Sequence, residues 1–260
     1  MDVGRRVRWF SCGVASAIAT KLDLADHKDA AGVIAYCETG SEDEDNGRFL
    51  ADCEAWFGRP VERLRNPDFA DTWAVWEKRR YMSGIAGAPC TSELKITPRL
   101  AFQRPDDVHV FGYTADQRDV ERFEAFKANY PEMTVRAPLI ERGITKAGCL
   151  ALAMDAGLTP PRIYALGFPN ANCIPCVKAT SPDYWALVRL RFPEQFERAA
   201  KLSRELGARL VILAREKGDD GKVRNIRGFI DEIPLDQPIT DAIAPACDFL
   251  CHIAGSEMAA

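Results

Sequence analysis

The chain has 260 residues, 47% of them hydrophobic and 28% charged, enough to bury a full core as one large domain or as one domain with an appendage. Its formal net charge of −4 excludes a general cation field, so indiscriminate binding to nucleic acid or to an anionic membrane is not expected, while a local basic groove stays open. Neither a signal peptide nor a membrane span is expected, and nine cysteines in that setting point to a reducing cytoplasm, where clustered thiols mean metal or redox chemistry.

Val7 to Phe10 reads as an apolar strand that turns through Ser11, Cys12 and Gly13 into a segment of helical composition, with Ala17, Ile18, Ala19 and Leu22 apolar. Such a turn leaves backbone N–H groups at a helix N-terminus and suits an anion. Gly13 supplies backbone freedom, and Ser11 and Ser16 offer hydroxyls. Taken alone, the stretch reads equally well as an ordinary serine-capped turn.

Ala31 to Tyr36 is a second apolar strand, ending in Cys37-Glu38-Thr39-Gly40; Phe49 to Phe57 follows at helical spacing. Val61 to Leu64 reads as a third strand and Phe69 to Met82 as a helix with a basic end at Lys78, Arg79 and Arg80. Val108 to Tyr113 is a fourth strand, followed by a charged helix over Asp119 to Asn129. Strands alternating with helices predict an α/β protein with a mostly parallel, doubly wound sheet, whose ligands sit beyond the carboxyl ends of the strands, near Ser11 to Ser16, Glu38 to Gly40 and Gly112 to Arg122.

Ile140 to Leu158 reads as a helix entered near Thr145 and ended at Gly157. Asp183 to Leu206 is helical with an interruption at Pro193, and Leu210 to Leu213 is a last short strand. The expected organisation is a nucleotide-binding domain over residues 1–214, including a helical extension, and a loosely structured C-terminal tail over 215–260 that docks on the core.

Cys173-Ile-Pro-Cys176 is a C-x-x-C whose thiolates could grip a metal or cluster edge, or form a redox pair. Cys90 follows a Gly-rich approach at Gly84 and Gly87, and three thiolates would suit a cluster with one iron left without a cysteine. Cys37, Cys53 and Cys149 lie in apolar contexts and read as small buried hydrophobes, whereas Cys12 sits inside the anion turn. Cys247 and Cys251 could be a further ligand, a mobile nucleophile, or neither.

The order Ser11-x-Gly13-x-x-Ser16, Glu38-Thr39-Gly40, Cys90 with Lys95 and Pro98, Gly112-Tyr113 with Arg122, and Cys173-x-x-Cys176 resembles the phosphoadenosine phosphosulfate (PAPS) reductase family. That family belongs to the PP-loop ATP pyrophosphatase, or adenine nucleotide alpha-hydrolase-like, superfamily of Rossmann-like fold. The similarity covers about residues 6–210.

The resemblance implies that Ser11, Cys12, Gly13, Ser16, Glu38, Thr39, Gly40 and Gly112 bind an adenine nucleotide, ATP or a sulfonucleotide, and that Lys95 and Arg122 meet its phosphate or sulfate. Cys12 and Ala15 replace the first glycine and the aspartate of the family's Ser-Gly-Gly-x-Asp-Ser loop, which counts against Mg-assisted ATP cleavage and leaves magnesium an open companion of the nucleotide. Cys90, Cys173 and Cys176 would ligate a [4Fe–4S] cluster, Pro89 standing where cluster-bearing reductases have another cysteine. The expected activity is that of an oxidoreductase or sulfurtransferase, with sulfonucleotide reduction or related sulfur transfer as the reaction and Cys251 as the candidate C-terminal nucleophile.

Two alternatives accompany it: ATP-dependent thiolation or desulfuration of a nucleobase or tRNA, and a non-catalytic nucleotide-binding protein with a structural zinc. The partners expected are an electron or sulfur donor, a nucleic-acid acceptor in the thiolation reading, and a second copy in a homodimer. Lys78, Arg79, Arg80, Arg189 and Arg191 are the cations that could line a nucleic-acid groove.

Overall fold

The computed structural model describes residues 4–28 and 31–240. Five strands, β1 (Arg6–Trp9), β2 (Gly32–Cys37), β3 (Val61–Leu64), β4 (Val108–Val110) and β5 (Thr134–Arg136), form one sheet in the order β3-β2-β1-β4-β5, and every neighbouring pair is parallel. Helices separate successive strands, giving the parallel α/β doubly wound fold expected from the sequence. The chain divides into two units: Met1–Glu38, Glu44–Asn66 and Thr97–Arg162 form the first, and Thr39–Asp43, Pro67–Ile96 and Ile163–Ala260 the second.

The first unit holds the sheet. Its central strand β1 is buried along its whole length although it carries two arginines. Arg6 and Arg8, two apart, share a strand face and both reach Asp23 of the helix α1 (Val14–Asp26), Arg8 Nε donating to Asp23 Oδ2 at 2.7 Å. Burial raises the Asp23 pKa, but the hydrogen bonds and charges of the two guanidiniums outweigh it and hold the carboxyl below its ordinary range. The helix α2 (Asn46–Phe57) buries Phe49, Leu50, Cys53 and Phe57 along one stripe and ends at Gly58 in the left-handed conformation. β5 has no counterpart in the sequence reading: three residues, one of them exposed, are too few to establish a period.

The second unit is built on an apolar core in which Trp76, Trp185, Tyr184 and Val188 are almost wholly enclosed. The long helical stretch breaks where expected, into Pro182–Arg191 and Pro193–Glu205, because Pro193 lacks the N–H an unbroken helix would use. From Arg215 onward the structure departs from the expected loose tail. β6 (Val211–Lys217) and β7 (Val223–Gly228) pair antiparallel around a turn closed by Gly218 N–H donating to the Lys222 carbonyl at 2.9 Å, and the boundary placed after residue 214 falls inside β6. Most of this ribbon is exposed on both faces, so no polar–apolar alternation marks it in the sequence. Among the described residues, no helix is long and apolar enough to cross a membrane.

Candidate nucleotide loop and thiol cluster

In the first unit, β1 lies at the sheet's topological switch point, with β2 and β3 on one side and β4 and β5 on the other. Ligands of open α/β sheets bind outside the carboxyl ends of the strands at this point. The segment that leaves β1 there is Ser11 to Gly13, and Gly13 is the N-cap of α1 with no side chain capping the helix. The loop is closed by Ser16, whose hydroxyl accepts from the Ser11 N–H and from the Ser11 hydroxyl, both at 3.0 Å, and donates to the Gly13 carbonyl at 2.8 Å. Ser16 is buried and braces the turn from within, while Ser11 is exposed.

Cys12 occupies the left-handed region at φ 55°, fully buried, with its thiol 3.9 Å from the Asn46 carbonyl. A glycine takes that conformation without steric cost, so Cys12 stands where a glycine would be unstrained. Gly112, just beyond β4, meets the same turn: a Cβ there would stand 2.7 Å from Ser16 Cα and 2.8 Å from Ser16 N. Only a residue without a side chain allows that approach.

Past β4, Thr114 Oγ1 lies 2.8 Å from both Asp116 Oδ2 and Asp119 Oδ2. Arg122 ion-pairs with Asp119 and stacks its guanidinium over the Tyr113 ring, 5.3 Å from the centroid. Backbone donation from Lys146 holds the Asp116 carboxyl below its ordinary pKa, and the Thr114 hydroxyl adds to the effect. Glu38, at the end of β2, receives two hydrogen bonds from the Arg65 guanidinium, one at 2.8 Å from Nε.

Asn46, the first residue of α2, drew no attention in the sequence. It is 5% exposed, and its side-chain amide has no hydrogen-bond partner among the described residues. Its backbone carbonyl faces the Cys12 thiol, so the residue adjoins the loop, and its side-chain amide carries a donor and an acceptor. A lone asparagine among the acidic residues Glu42 to Asp45 gives no signal of this.

The second unit holds Cys90, Lys95, Cys173 and Cys176, together with Thr39 and Gly40. The hydroxyl of Thr39, a residue expected at a nucleotide, lies 2.9 Å from the Cys173 thiol, and both residues are buried. Glu42 forms an antiparallel bridge to Cys173, and Ile174 N–H donates to the Ser41 carbonyl at 2.8 Å, so residues 39–42 run alongside the C-x-x-C. Gly40, at φ 69°, packs against the chain at residue 70, where a Cβ would stand 2.2 Å from the Ala70 carbonyl oxygen.

Cys176 is fixed by its N–H donating to the Tyr184 hydroxyl at 2.7 Å and belongs to the unit's apolar core, against which the half-buried Cys90 also packs. Lys95 lies on the π-helical turn Ser92–Ile96 that follows Cys90, and Lys178 Nζ donates to Thr91 Oγ1 at 3.2 Å. Three thiols in one unit, two of them buried and the third half-buried, are a donor set that fits a thiophilic metal or an iron–sulfur cluster by chemistry. The side chains themselves do not stand as a formed coordination sphere: among the described residues, no group of three or more His, Cys, Asp or Glu is arranged to hold a metal ion.

Cys37, Cys53 and Cys149 are buried as expected of small hydrophobes, and burial pushes the Cys53 thiol up to about 12 and the Cys149 thiol up to about 11. Cys247 and Cys251 lie outside the described residues. The cations proposed for a groove are largely engaged: Lys78 lies over the Phe69 ring, Arg79 pairs with Glu93, and Arg189 donates to the carbonyls of Ile233, Pro234 and Leu235. No family model matches the chain, and no curated protein matches it.

Proposed function

We propose that this protein binds an adenine nucleotide and handles sulfur, in the manner of the PAPS reductase family that its motif order resembles. The observation that carries the reading is the Ser11 to Ser16 turn at the carboxyl end of the central strand, at the switch point of an all-parallel sheet, with Gly112 left bare against Ser16. In this reading the N-terminus of α1 receives phosphate, Ser16 keeps the turn in its receptive shape, and Arg122, fixed by Asp119 and Tyr113, supplies positive charge beside it. The free side-chain amide of Asn46 contributes a donor and an acceptor to the ligand.

Cys90, Cys173 and Cys176 would hold a [4Fe–4S] cluster through their thiolates. When bound, a cluster with one iron outside the cysteine set offers a site for electron or sulfide transfer. The chain's own contribution is to desolvate the thiols and, through the Thr39 hydroxyl, to donate a hydrogen bond that stabilises the Cys173 thiolate. Lys95 supplies a cation to an anionic substrate group in the same unit. The activity is that of an oxidoreductase or sulfurtransferase, in a cytoplasm that keeps nine thiols reduced.

A second reading, ATP-dependent thiolation or desulfuration of a nucleobase, is favoured by Pro89, which leaves the set at three cysteines rather than four. The experiment is to measure iron, acid-labile sulfide and zinc per chain on protein purified without oxygen, with calorimetric titration of ATP and of a sulfonucleotide. About four irons and four sulfides with micromolar nucleotide binding is the expected result. Zinc alone would replace the cluster by a structural ion, and absence of nucleotide binding would overturn the proposal.

A further inference from the structure

The ribbon of β6 and β7 carries a charge arrangement that neither unit's chemistry uses. Its register pairs Arg215 with Asn225 and Lys217 with Val223, alternating with Ala214 opposite Ile226 and Glu216 opposite Arg224. Since side chains alternate between faces, Arg215, Lys217, Asn225 and Val223 share one face, and Glu216 and Arg224 share the other. Arg227, two residues beyond Asn225, lies on the first face as well. The register irregularity falls between Ile212 and Ala214 of β6 and leaves the alternation of β7 intact.

The first face thus presents Arg215, Lys217 and Arg227 with no carboxylate among them. All three are exposed, and among the described residues none forms a salt bridge; Arg227 donates once, to the Leu210 carbonyl at 3.3 Å. The ribbon's carboxylates are elsewhere: Glu216 faces the other way, Asp220 is bound by Arg224 at 2.9 Å, and Asp219 sits in the turn. Residues 211–228 contain five Lys and Arg against three Asp and Glu, in a chain whose net charge is −4. The ribbon is anchored at its base, where Val211 is buried in the core and Ile212 N–H donates to the Thr180 carbonyl at 2.9 Å.

We propose that this face of the ribbon docks the phosphate backbone of a nucleic acid. Arg215 and Lys217 stand about 7 Å apart along the strand, as i and i+2 residues do, and can meet separate phosphates. An asparagine and an aliphatic residue between the cations provide a hydrogen-bonding group and an apolar contact without opposing charge. A two-stranded ribbon has the dimensions that the major groove of B-form DNA admits, and on RNA the same cations would meet phosphates from outside the groove. The inference goes beyond the nucleotide and thiol reading and does not depend on it.

The test is fluorescence anisotropy of the full chain with a labelled RNA stem-loop and a labelled DNA duplex over a series of salt concentrations, comparing wild type with Arg215→Thr/Lys217→Thr/Arg227→Thr. Threonine keeps strand propensity while removing the charge. Wild type is expected to bind at low salt, and the triple variant to bind more than about tenfold more weakly, with a salt slope lower by about 2 to 3. The single variant Lys217→Thr, which leaves the ribbon's other contacts in place, should lower the slope by about 1. The stronger of the two nucleic acids identifies the source of the backbone. The proposal is overturned if wild type binds neither, if Lys217→Thr leaves the slope unchanged, or if the chain is retained only by vesicles of anionic phospholipid.

Discussion

The indole Nε1–H of Trp9 donates to Nδ1 of His109 at 3.1 Å, with the two rings stacked 4° from parallel, across the neighbouring strands β1 and β4. The hydrogen bond requires Nδ1 to be an acceptor, so the imidazole is neutral in the fold. Burial pushes its pKa down to about 4, from 6.5 for an exposed histidine.

The consequence for stability has a definite sign. As pH falls from about 7 the unfolded chain protonates His109 first, while the folded chain resists until about pH 4, so protons favour unfolding across that window. Urea denaturation is expected to lose about 2 to 3 kcal/mol from this residue over the window. His109→Gln should flatten the dependence, and equal pH slopes in the two proteins would refute the assignment.

Asp23 accepts hydrogen bonds from both Arg6 and Arg8 inside the sheet unit. Asp23→Asn removes the charge that both buried guanidiniums share, and a loss of about 3 to 5 kcal/mol in urea denaturation is expected. Its contribution has the acid-side sign: it is complete above the unfolded carboxylate pKa and is lost as pH falls through the lower folded value. A cost below about 1 kcal/mol would mean that the cluster holds nothing together.

The loop can be probed by two substitutions of opposite expected effect. Gly112→Ala drives a Cβ into the Ser16 backbone and should cost about 1 to 3 kcal/mol, with at least about tenfold weaker binding of ATP in calorimetry. Cys12→Gly relieves a left-handed side-chain residue whose strain is about 1 to 2 kcal/mol, and should leave nucleotide affinity intact. Equal ATP affinity in the Gly112→Ala protein would separate the turn from nucleotide binding.

The thiols should divide by environment. Cys90→Ala is expected to lower iron per chain by more than about half, whereas Cys53→Ala, with its thiol buried and pushed up to about 12, should leave iron and visible absorbance unchanged. Thr39→Val, which removes the hydroxyl beside Cys173, should raise the pKa of that thiol as read from the pH dependence of its alkylation in the metal-free protein. Identical alkylation profiles would leave Thr39 a packing residue.

The sequence by itself determined the elements whose signals are local. The turn from β1 into α1, the helix break at Pro193 and the strand β3 each occupy one continuous stretch with its own period or breaker residue. The same local reading found the C-x-x-C and the buried character of Cys37, Cys53 and Cys149, because their apolar neighbours are adjacent in the chain. The ribbon escaped it because a strand exposed on both faces has no hydrophobic period, and β5 because three residues are too few to show one. Only the tertiary structure decided the strand order, the burial of Arg6 and Arg8 against Asp23, and the approach of Gly112 to Ser16. It also decided that the Thr39 hydroxyl meets a thiol 134 residues away. Such pairings join residues far apart in sequence, and their chemistry is set by which surfaces the packed sheet and helices bring together, a relationship that no local period records.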